Sequence, residues 1–340
     1  MATSLQSPAL VFASNAAIIA ARANLAKVKE FSTNFSNEAT QPGTTLKVPV
    51  FLAGPAQDFD KKDSNYETAN GSVVYVPMTF DIHKHSTFSF DDKDFLLVNG
   101  TQFWQNSGKA SGEAIAEGLV EAICGEINAT NVPTSGLDPN YTEDDDNPGY
   151  TKGGCPIPTF SANNEQVLTY TKQTLKGKIA KLRAVCKKVG IKPGRSVLAV
   201  NSDLFADILD LLDANIYGGA NAIQDGIVPK LFGFKSVMEC DEFGTGADLG
   251  AVIPEDALAI AGRAIPVGSP KCYEEVGTTT DEGTGIVLTT RRHGNPATGE
   301  NFATIEALFG KKLIQPTKVI RIKSEDESSS SSSSSSSSQG

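Results

Sequence analysis

The sequence predicts a mixed α+β fold, because helical and strand periodicities alternate along its 340 residues. Apolar side chains recur every three to four residues over 8–35 and over 106–127, which is the spacing of an amphipathic helix. They alternate with polar side chains over 46–52 and 74–80, which is the period of a half-buried strand. After Pro193-Gly194, short apolar runs and a capped helix follow one another as in an α/β unit.

The N-terminal segment predicts an amphipathic helical arm. Pro8 stands where a helix can begin, and Gln41-Pro42-Gly43 ends the segment. The apolar side chains at helical spacing are Leu10, Ala13, Ala17, Ala20, Ala21, Leu25 and Val28.

The next segment predicts two strands of an extended hairpin. The first strand contains Pro49, which is tolerated only at a sheet edge. A polar stretch over 54–71 joins the strands and carries Lys61, Lys62 and Asp63 near its tip. Phe88 and Phe90 alternate with Ser89 and continue the sheet pattern.

Two long helices of opposite charge are predicted on either side of a loop. The helix over 106–127 carries Glu113, Glu117 and Glu121 four residues apart, which places them on one stripe. A stretch rich in proline and glycine over 128–163 has the composition of an exposed insertion. The helix over 168–189 is basic. Its cationic side chains are Lys172, Lys176, Lys178, Lys181, Arg183, Lys187 and Lys188. We expect these cations to neutralise the acidic stripe, within the fold or in a neighbouring subunit, rather than to bind a polyanion.

The C-terminal half predicts an α/β unit followed by strands. We expect a strand over 197–200, a helix over 202–212, a strand over 233–238 and a short helix after Pro254. Two strands then flank a turn-rich connection as a hairpin, and a last strand follows Pro316. The acidic and polyserine tail over 325–340 cannot bury a core, so we expect it to be disordered.

Composition excludes several classes of protein. A formal net charge of -10 argues against DNA or RNA as a bulk ligand, because such binding uses clustered Lys and Arg. No window reaches the roughly 18 uncharged apolar residues of a membrane-spanning helix, so we expect no membrane association. No Lys or Arg precedes Arg22, which argues against a secretory signal. Five widely spaced cysteines without a CxxC indicate reduced thiols in a cytosolic setting.

No catalytic, cofactor or metal site emerges from the motifs. His83 and His85 would project from one strand face, but no third ligand stands at metal-site spacing, so we expect surface histidines. His293 falls at a hairpin end, where a surface role is expected. The glycines of 244–250 have one residue too many for a dinucleotide fingerprint, so this segment is interpreted as a turn.

The order of these elements and several short sequence segments resemble those of the major capsid protein of tailed bacteriophages, which has the Hong Kong ninety-seven fold. These segments are Asp92-Lys93-Asp94, Ala199-Val200-Asn201-Ser202-Asp203-Leu204-Phe205, Asp225-Gly226-Ile227-Val228-Pro229-Lys230-Leu231-Phe232-Gly233-Phe234, Pro254-Glu255-Asp256-Ala257-Leu258-Ala259, Arg291-Arg292-His293-Gly294 and Ala307-Leu308-Phe309-Gly310. They span about 8–323 in the usual order of that family.

The resemblance implies a domain organisation. It implies an N-terminal arm over 1–45, an extended loop over 46–95, a peripheral domain over 96–193 with the insertion 128–163, and an axial domain over 194–310. The segment 311–324 would return to the peripheral domain as its closing strand, and 325–340 would be a tail. Since a lone hairpin is marginal in water, and the arm has no adjacent core, both are expected to lie on another subunit.

The resemblance also implies a function without catalysis. The chain would form pentameric and hexameric capsomers of an icosahedral head around double-stranded DNA, in a virion assembled in the host bacterial cytoplasm. Separate scaffolding, portal and decoration proteins would be partners, and no cofactor is implied. We expect the candidate assembly-interface residues to be Lys61, Lys62, Asp63, Glu113, Glu117, Glu121, Lys176, Lys181 and Arg183.

Two alternatives remain open at this point. A nanocompartment shell of the encapsulin type would use the same fold to enclose an enzyme. A soluble α/β enzyme built on 194–285 would need a cluster of acid, base or ligand residues, and the sequence offers none.

Overall fold

The computed structural model describes the following segments of the chain: 8–36, 45–52, 72–90, 100–145, 148–151, 156–160, 167–170, 174–211, 227–229, 231–245, 248–266, 275–295 and 300–324. Within them the chain is mixed helix and strand, as the sequence predicts. The helices are α1 (Pro8–Lys29), α2 (Gly100–Cys124), α3 (Leu175–Lys188) and α4 (Ser202–Asp210).

The chain divides into two compact units. Unit 1 comprises Met1–Leu46, Thr79–Glu126 and Leu258–Lys312. Unit 2 comprises Lys47–Met78, Ile127–Ala257 and Leu313–Gly340. Each unit is therefore built from segments far apart in sequence.

Unit 1 is a sheet with helices on one face. Its strands are β1 (Ser32–Asn34), β4 (Ile82–Phe90), β12 (Leu258–Arg263), β13 (Glu275–Thr280), β14 (Val287–Asn295) and β15 (Glu300–Leu313). They are ordered β1-β12-β15-β14-β13, and β4 also pairs with the long β15. One face packs on the helices: Ser86 of β4 donates to Ser111 of α2 over 3.0 Å, and Ser14 of α1 lies 2.9 Å from the Thr279 hydroxyl of β13.

Helix α1 packs against α2 within the same chain. Its buried side chains include Ala13, Ala17, Leu25 and Val28. This corrects the expectation of an arm without an adjacent core. The reason is that small residues on both helices allow their backbones to approach closely.

The same helix is long and apolar enough over Ala9–Lys29 to cross a membrane, judged by length and composition alone. The expectation concerned uncharged windows, and this helix contains Arg22, Lys27 and Lys29. In the structure 44% of its most apolar window is buried, and the core helix of a folded domain passes the same test of length and composition.

Unit 2 is a second six-stranded sheet covered by α3 and α4. Its strands are β7 (Val167–Tyr170), β8 (Ser196–Val200), β9 (Ile227–Pro229), β10 (Ser236–Glu239), β11 (Asp248–Pro254) and β16 (Ile320–Ser324), ordered β7-β16-β11-β8-β10-β9. The core joins Leu182 and Cys186 of α3 and Leu204 of α4 to Leu198 of β8 and Ile320 of β16. Asn201 caps α4 by accepting a hydrogen bond from the backbone N–H of Leu204.

Two local expectations differ from the structure. Residues 167–170 form β7, so the basic helix α3 begins at Leu175 rather than at Leu168. After Pro254 the chain makes a turn and then β12, not a helix. The apolar run from Ala257 is entirely buried, and periodicity alone cannot distinguish a buried strand from a buried helix.

The compact units also group the elements differently from the expected domains. Helix α3 and the last strand β16 belong to unit 2, not to the unit that contains α2. Strands β12 to β15 belong with α2 in unit 1, although they were expected in the domain over 194–310. The physical reason is strand pairing: β16 inserts between β7 and β11, and β15 pairs with β4.

Two shorter pairs of strands complete the described fold. One pair, β5 (Gly136–Leu137) and β6 (Thr159–Phe160), falls within the expected insertion. The other is the hairpin ribbon of β2 (Thr45–Leu52) and β3 (Ser72–Thr79), as the alternating pattern predicts. The expected hairpin tip over 54–71 lies outside the described residues.

Candidate assembly surfaces

The hairpin ribbon has one buried face and one exposed apolar face. Val48 and Val50 of β2 and Val76 and Met78 of β3 are buried. Most of the side chains that alternate with them are exposed. These include Phe51, Tyr75 and Val73, at 76%, 60% and 43% exposure. Large apolar side chains grouped on an exposed face are typical of a protein interaction surface.

A second apolar surface lies along α1 and α2 in unit 1. Phe12 and Ile19 of α1 are 39% and 65% exposed. They line a groove of about 480 Å³ together with Gln105, Asn106 and Lys109 of α2. The groove is mainly apolar and has one cationic side chain at its rim.

The acidic stripe is present on α2. Glu117 and Glu121 are exposed, and Glu113 is partly exposed. Glu113 lies 3.8 Å from Lys109, one turn earlier in the same helix. An exposed pair of this kind contributes at most about 0.5 kcal/mol to stability, so most of the stripe's charge remains available to a partner.

The basic candidates lie on α3, in the other unit. Lys181 and Arg183 are exposed, and the Arg183 guanidinium packs against Gly233, where an added Cβ would lie 2.9 Å from Cζ of Arg183. Lys176 is on the same helix. Lys61, Lys62 and Asp63 lie outside the described residues.

Sequence reasoning missed the apolar surfaces at Phe51, Tyr75, Phe12 and Ile19. The alternation of the hairpin strands did indicate an exposed side, which contains the first two.

Two buried side chains of the described chain have a raised pKa. Burial, with a smaller contribution from Asp138, raises the pKa of Tyr141 to about 12. Burial also raises the pKa of Cys186 to about 12. Both side chains stay protonated at neutral pH, which is the opposite of what a nucleophile or a general base requires.

A polar cavity of about 240 Å³ in unit 2 has a balanced lining. Lys192, Arg195 and Lys318 face Glu255 and Asp256. Glu255 also pairs with Lys235 over 2.7 Å. Because cations and carboxylates offset one another here, the cavity offers no concentrated charge to a substrate.

The chain matches no described protein family and no curated protein sequence. Its structure is similar to a chain of the capsid asymmetric unit of cyanophage A-1(L), with a TM-score of 0.53 and 11% sequence identity, over 87% of this chain and 92% of that one. It is also similar to a chain of the asymmetric unit of the bacteriophage PhiM1 mature capsid, with a TM-score of 0.51 and 11% identity, over 87% and 85% of the two chains. The resemblance to phage capsid proteins is therefore confirmed as one of fold, and the chain has a phage capsid fold.

Proposed function

We propose that this protein is the major capsid protein of a tailed bacteriophage, a structural subunit that assembles with copies of itself into an icosahedral shell around double-stranded DNA. The observation that carries the proposal is the fold shared with phage capsid chains over 87% of this chain.

The hairpin ribbon supplies the first contact between subunits in this proposal. The inner face of the ribbon is buried within the chain, whereas its outer face presents Phe51 and Tyr75 to solvent. Covering these aromatic side chains with a second copy removes apolar area from water, which favours association by roughly 25 cal/mol per Å². The groove at Phe12 and Ile19 is a second apolar surface of the same kind.

Charge supplies a further contact. The acidic stripe of α2 and the basic α3 carry opposite charges on separate units, so two copies can pair them across an interface. Such pairs set orientation and partner choice more than affinity. The candidates are Glu113, Glu117 and Glu121 on one side and Lys176, Lys181 and Arg183 on the other, with Lys61, Lys62 and Asp63, which lie outside the described residues, as further candidates.

The remaining partners follow from the shell role. We infer that copies of this chain form pentameric and hexameric capsomers. Scaffolding, portal and decoration proteins are partners of the shell, which assembles in the host bacterial cytoplasm. The net charge of -10 keeps packaged DNA from adhering to the shell. The similar structures are phage capsids, which favours a genome-enclosing shell over an enzyme-enclosing one.

The test is sedimentation velocity on the purified full-length chain over a range of concentrations, with negative-stain electron microscopy of any fast fraction. We expect pentamers, hexamers or uniform hollow shells. A monomer at every concentration would contradict self-assembly by this chain.

A variant pair tests the hairpin surface. Tyr75→Asp places a charge on the exposed apolar face of the ribbon and is expected to abolish fast-sedimenting particles while leaving the circular dichroism spectrum unchanged. Tyr150→Asp makes the same substitution at another surface tyrosine, 39% exposed, and is expected to keep them. Equal particle yields from the two variants would remove the hairpin from the assembly interface.

A further inference from the structure

The face of the unit 1 sheet that does not pack on helices α1 and α2 carries a histidine pair beside a glutamate. His83 and His85 lie two residues apart on β4, so both side chains project from this face. Glu306 on the neighbouring β15 is the direct cross-strand partner of His85. Its Oε2 lies 3.0 Å from Nε2 of His83. The fold thus supplies a third ligand candidate 223 residues away from His83 in sequence.

The Glu306 carboxylate is held in place from its other side. Oε1 lies 3.1 Å from Nε of Arg291 on β14, and both side chains are largely buried, at 10% and 8% exposure. Arg291 therefore engages one carboxylate oxygen and leaves the other oriented towards β4. Contacts of this kind fix the direction of a ligand carboxylate.

We propose that His83, His85 and Glu306 bind one divalent transition-metal ion of the zinc or cobalt class. Two donor atoms on one zinc ion, each about 2.0–2.1 Å from it, lie roughly 3.0–3.4 Å apart. The 3.0 Å between His83 Nε2 and Glu306 Oε2 fits this spacing. An ion can therefore take the place of the hydrogen atom between these two atoms with little movement of either side chain.

His85 completes the ligand set when its ring turns towards Glu306. Its ring centroid is 6.4 Å from that of His83, whereas two imidazoles on one tetrahedral zinc ion have centroids roughly 5 Å apart. His85 is exposed, so its ring has room to turn towards Glu306.

The ligand chemistry selects the class of metal. Two imidazoles and one carboxylate suit Zn²⁺, Co²⁺ and Ni²⁺, whereas Mg²⁺ and Ca²⁺ prefer oxygen ligands. Three protein ligands leave a fourth tetrahedral position for water or for a group from another molecule. Because the ligands come from β4 and β15, the ion would join two strands that are distant in sequence.

The test is a cobalt titration of the full-length chain after treatment with a chelator and its removal. We expect one Co²⁺ per chain, visible ligand-field absorption of a four-coordinate ion, and no near-ultraviolet band from thiolate ligation. A thiolate band, or no visible absorption with Co²⁺ in large excess, would overturn the proposal, since the first would assign the ion to cysteines.

A matched pair of variants separates this site from adventitious binding. His85→Gln removes an exposed ligand without touching the pair of Glu306 and Arg291, and is expected to weaken Co²⁺ and Zn²⁺ affinity at least tenfold. His293→Gln removes the third histidine, which stacks on Phe302 with ring centroids 5.3 Å apart, and is expected to leave affinity unchanged. Equal affinities of the wild type and His85→Gln would show that His83 and Glu306 form a hydrogen-bonded pair only.

Discussion

Gly112 of α2 lies so close to Ala17 of α1 that an added Cβ would stand 2.3 Å from the Ala17 carbonyl oxygen. Gly108, one turn earlier, meets Ala13 in the same way, also at 2.3 Å. The four-residue spacing on both helices brings these positions onto facing stripes. The two helices therefore pack backbone against backbone, and any side chain at the two glycines would separate them.

We predict that Gly112→Ala destabilises the protein. A forced separation of packed elements costs about 1–3 kcal/mol, and the gain in helix propensity from Gly to Ala, about 1 kcal/mol, offsets only part of it. The double variant Gly108→Ala/Gly112→Ala should lose more than either single variant. Urea unfolding followed by circular dichroism measures the loss as a lower midpoint.

The control is Gly177→Ala in α3. An added Cβ at Gly177 meets nothing within 4 Å, so this substitution should raise the free energy of unfolding by about 0.5–1 kcal/mol through helix propensity. If all three glycine variants shifted the midpoint in the same direction, close packing of α1 on α2 would not be the cause.

We predict a large loss of stability from Glu306→Gln, which removes the negative charge that faces the largely buried Arg291. Removing one partner of a buried ion pair costs about 3 kcal/mol, because the remaining charge stays out of water. The matched control is Glu113→Gln, which breaks the exposed pair with Lys109 and should cost less than about 0.5 kcal/mol. Thermal unfolding of both variants at pH 7 checks the contrast, and similar melting temperatures would contradict it.

The surroundings of Asp281, between β13 and β14, predict that the stability of the fold depends on pH. Burial by itself would raise the pKa of Asp281, but hydrogen bonds from Thr284 and Arg22 outweigh burial and hold it below its ordinary value. Thr284 donates from both its backbone N–H and its hydroxyl, and Arg22 donates over 2.5 Å. A lowered pKa stabilises the fold above the pKa of the unfolded chain, about 3.9, and this stabilisation is lost as pH falls through the folded value.

The Asp281→Asn variant isolates this contribution. We expect it to be less stable than the wild type at pH 7, and the difference in free energy of unfolding should shrink as pH falls below about 4. Urea unfolding at several pH values measures that difference. Asp145→Asn, at an exposed aspartate, should change stability little at pH 7. A difference for Asp281→Asn that stayed constant down to pH 2.5 would contradict the role of its carboxylate.

Local periodicity predicted the elements whose environment is simple. The 3.6-residue spacing identified α1 and α2, and strict alternation identified the hairpin ribbon, because each has one buried face. It failed where both faces are buried: the run after Ala257 contains only apolar side chains around β12 and has no period to detect.

The site and the grouping of elements depend on contacts between distant segments. Nothing in the sequence around His83 indicates that Glu306 is its neighbour. The two residues are 223 positions apart, and only the pairing of their strands brings them together. The packing of α1 on α2 did leave a signal, because Gly108, Gly112, Ala13 and Ala17 repeat at four-residue spacing. That signal indicates close packing without naming the partner helix.

The end of the chain gives the last prediction. Strand β16 (Ile320–Ser324) lies between β7 and β11, and Arg321, whose side chain is 3% exposed, pairs with Asp248 over 3.0 Å. Removing 325–340 leaves this strand intact, so we expect an unchanged urea midpoint and unchanged particle yield. Removing 319–340 opens the middle of the sheet and exposes the side chains packed on Ile320, so we expect loss of cooperative unfolding. Loss of particles from the shorter truncation alone would give the polyserine tail a role in assembly.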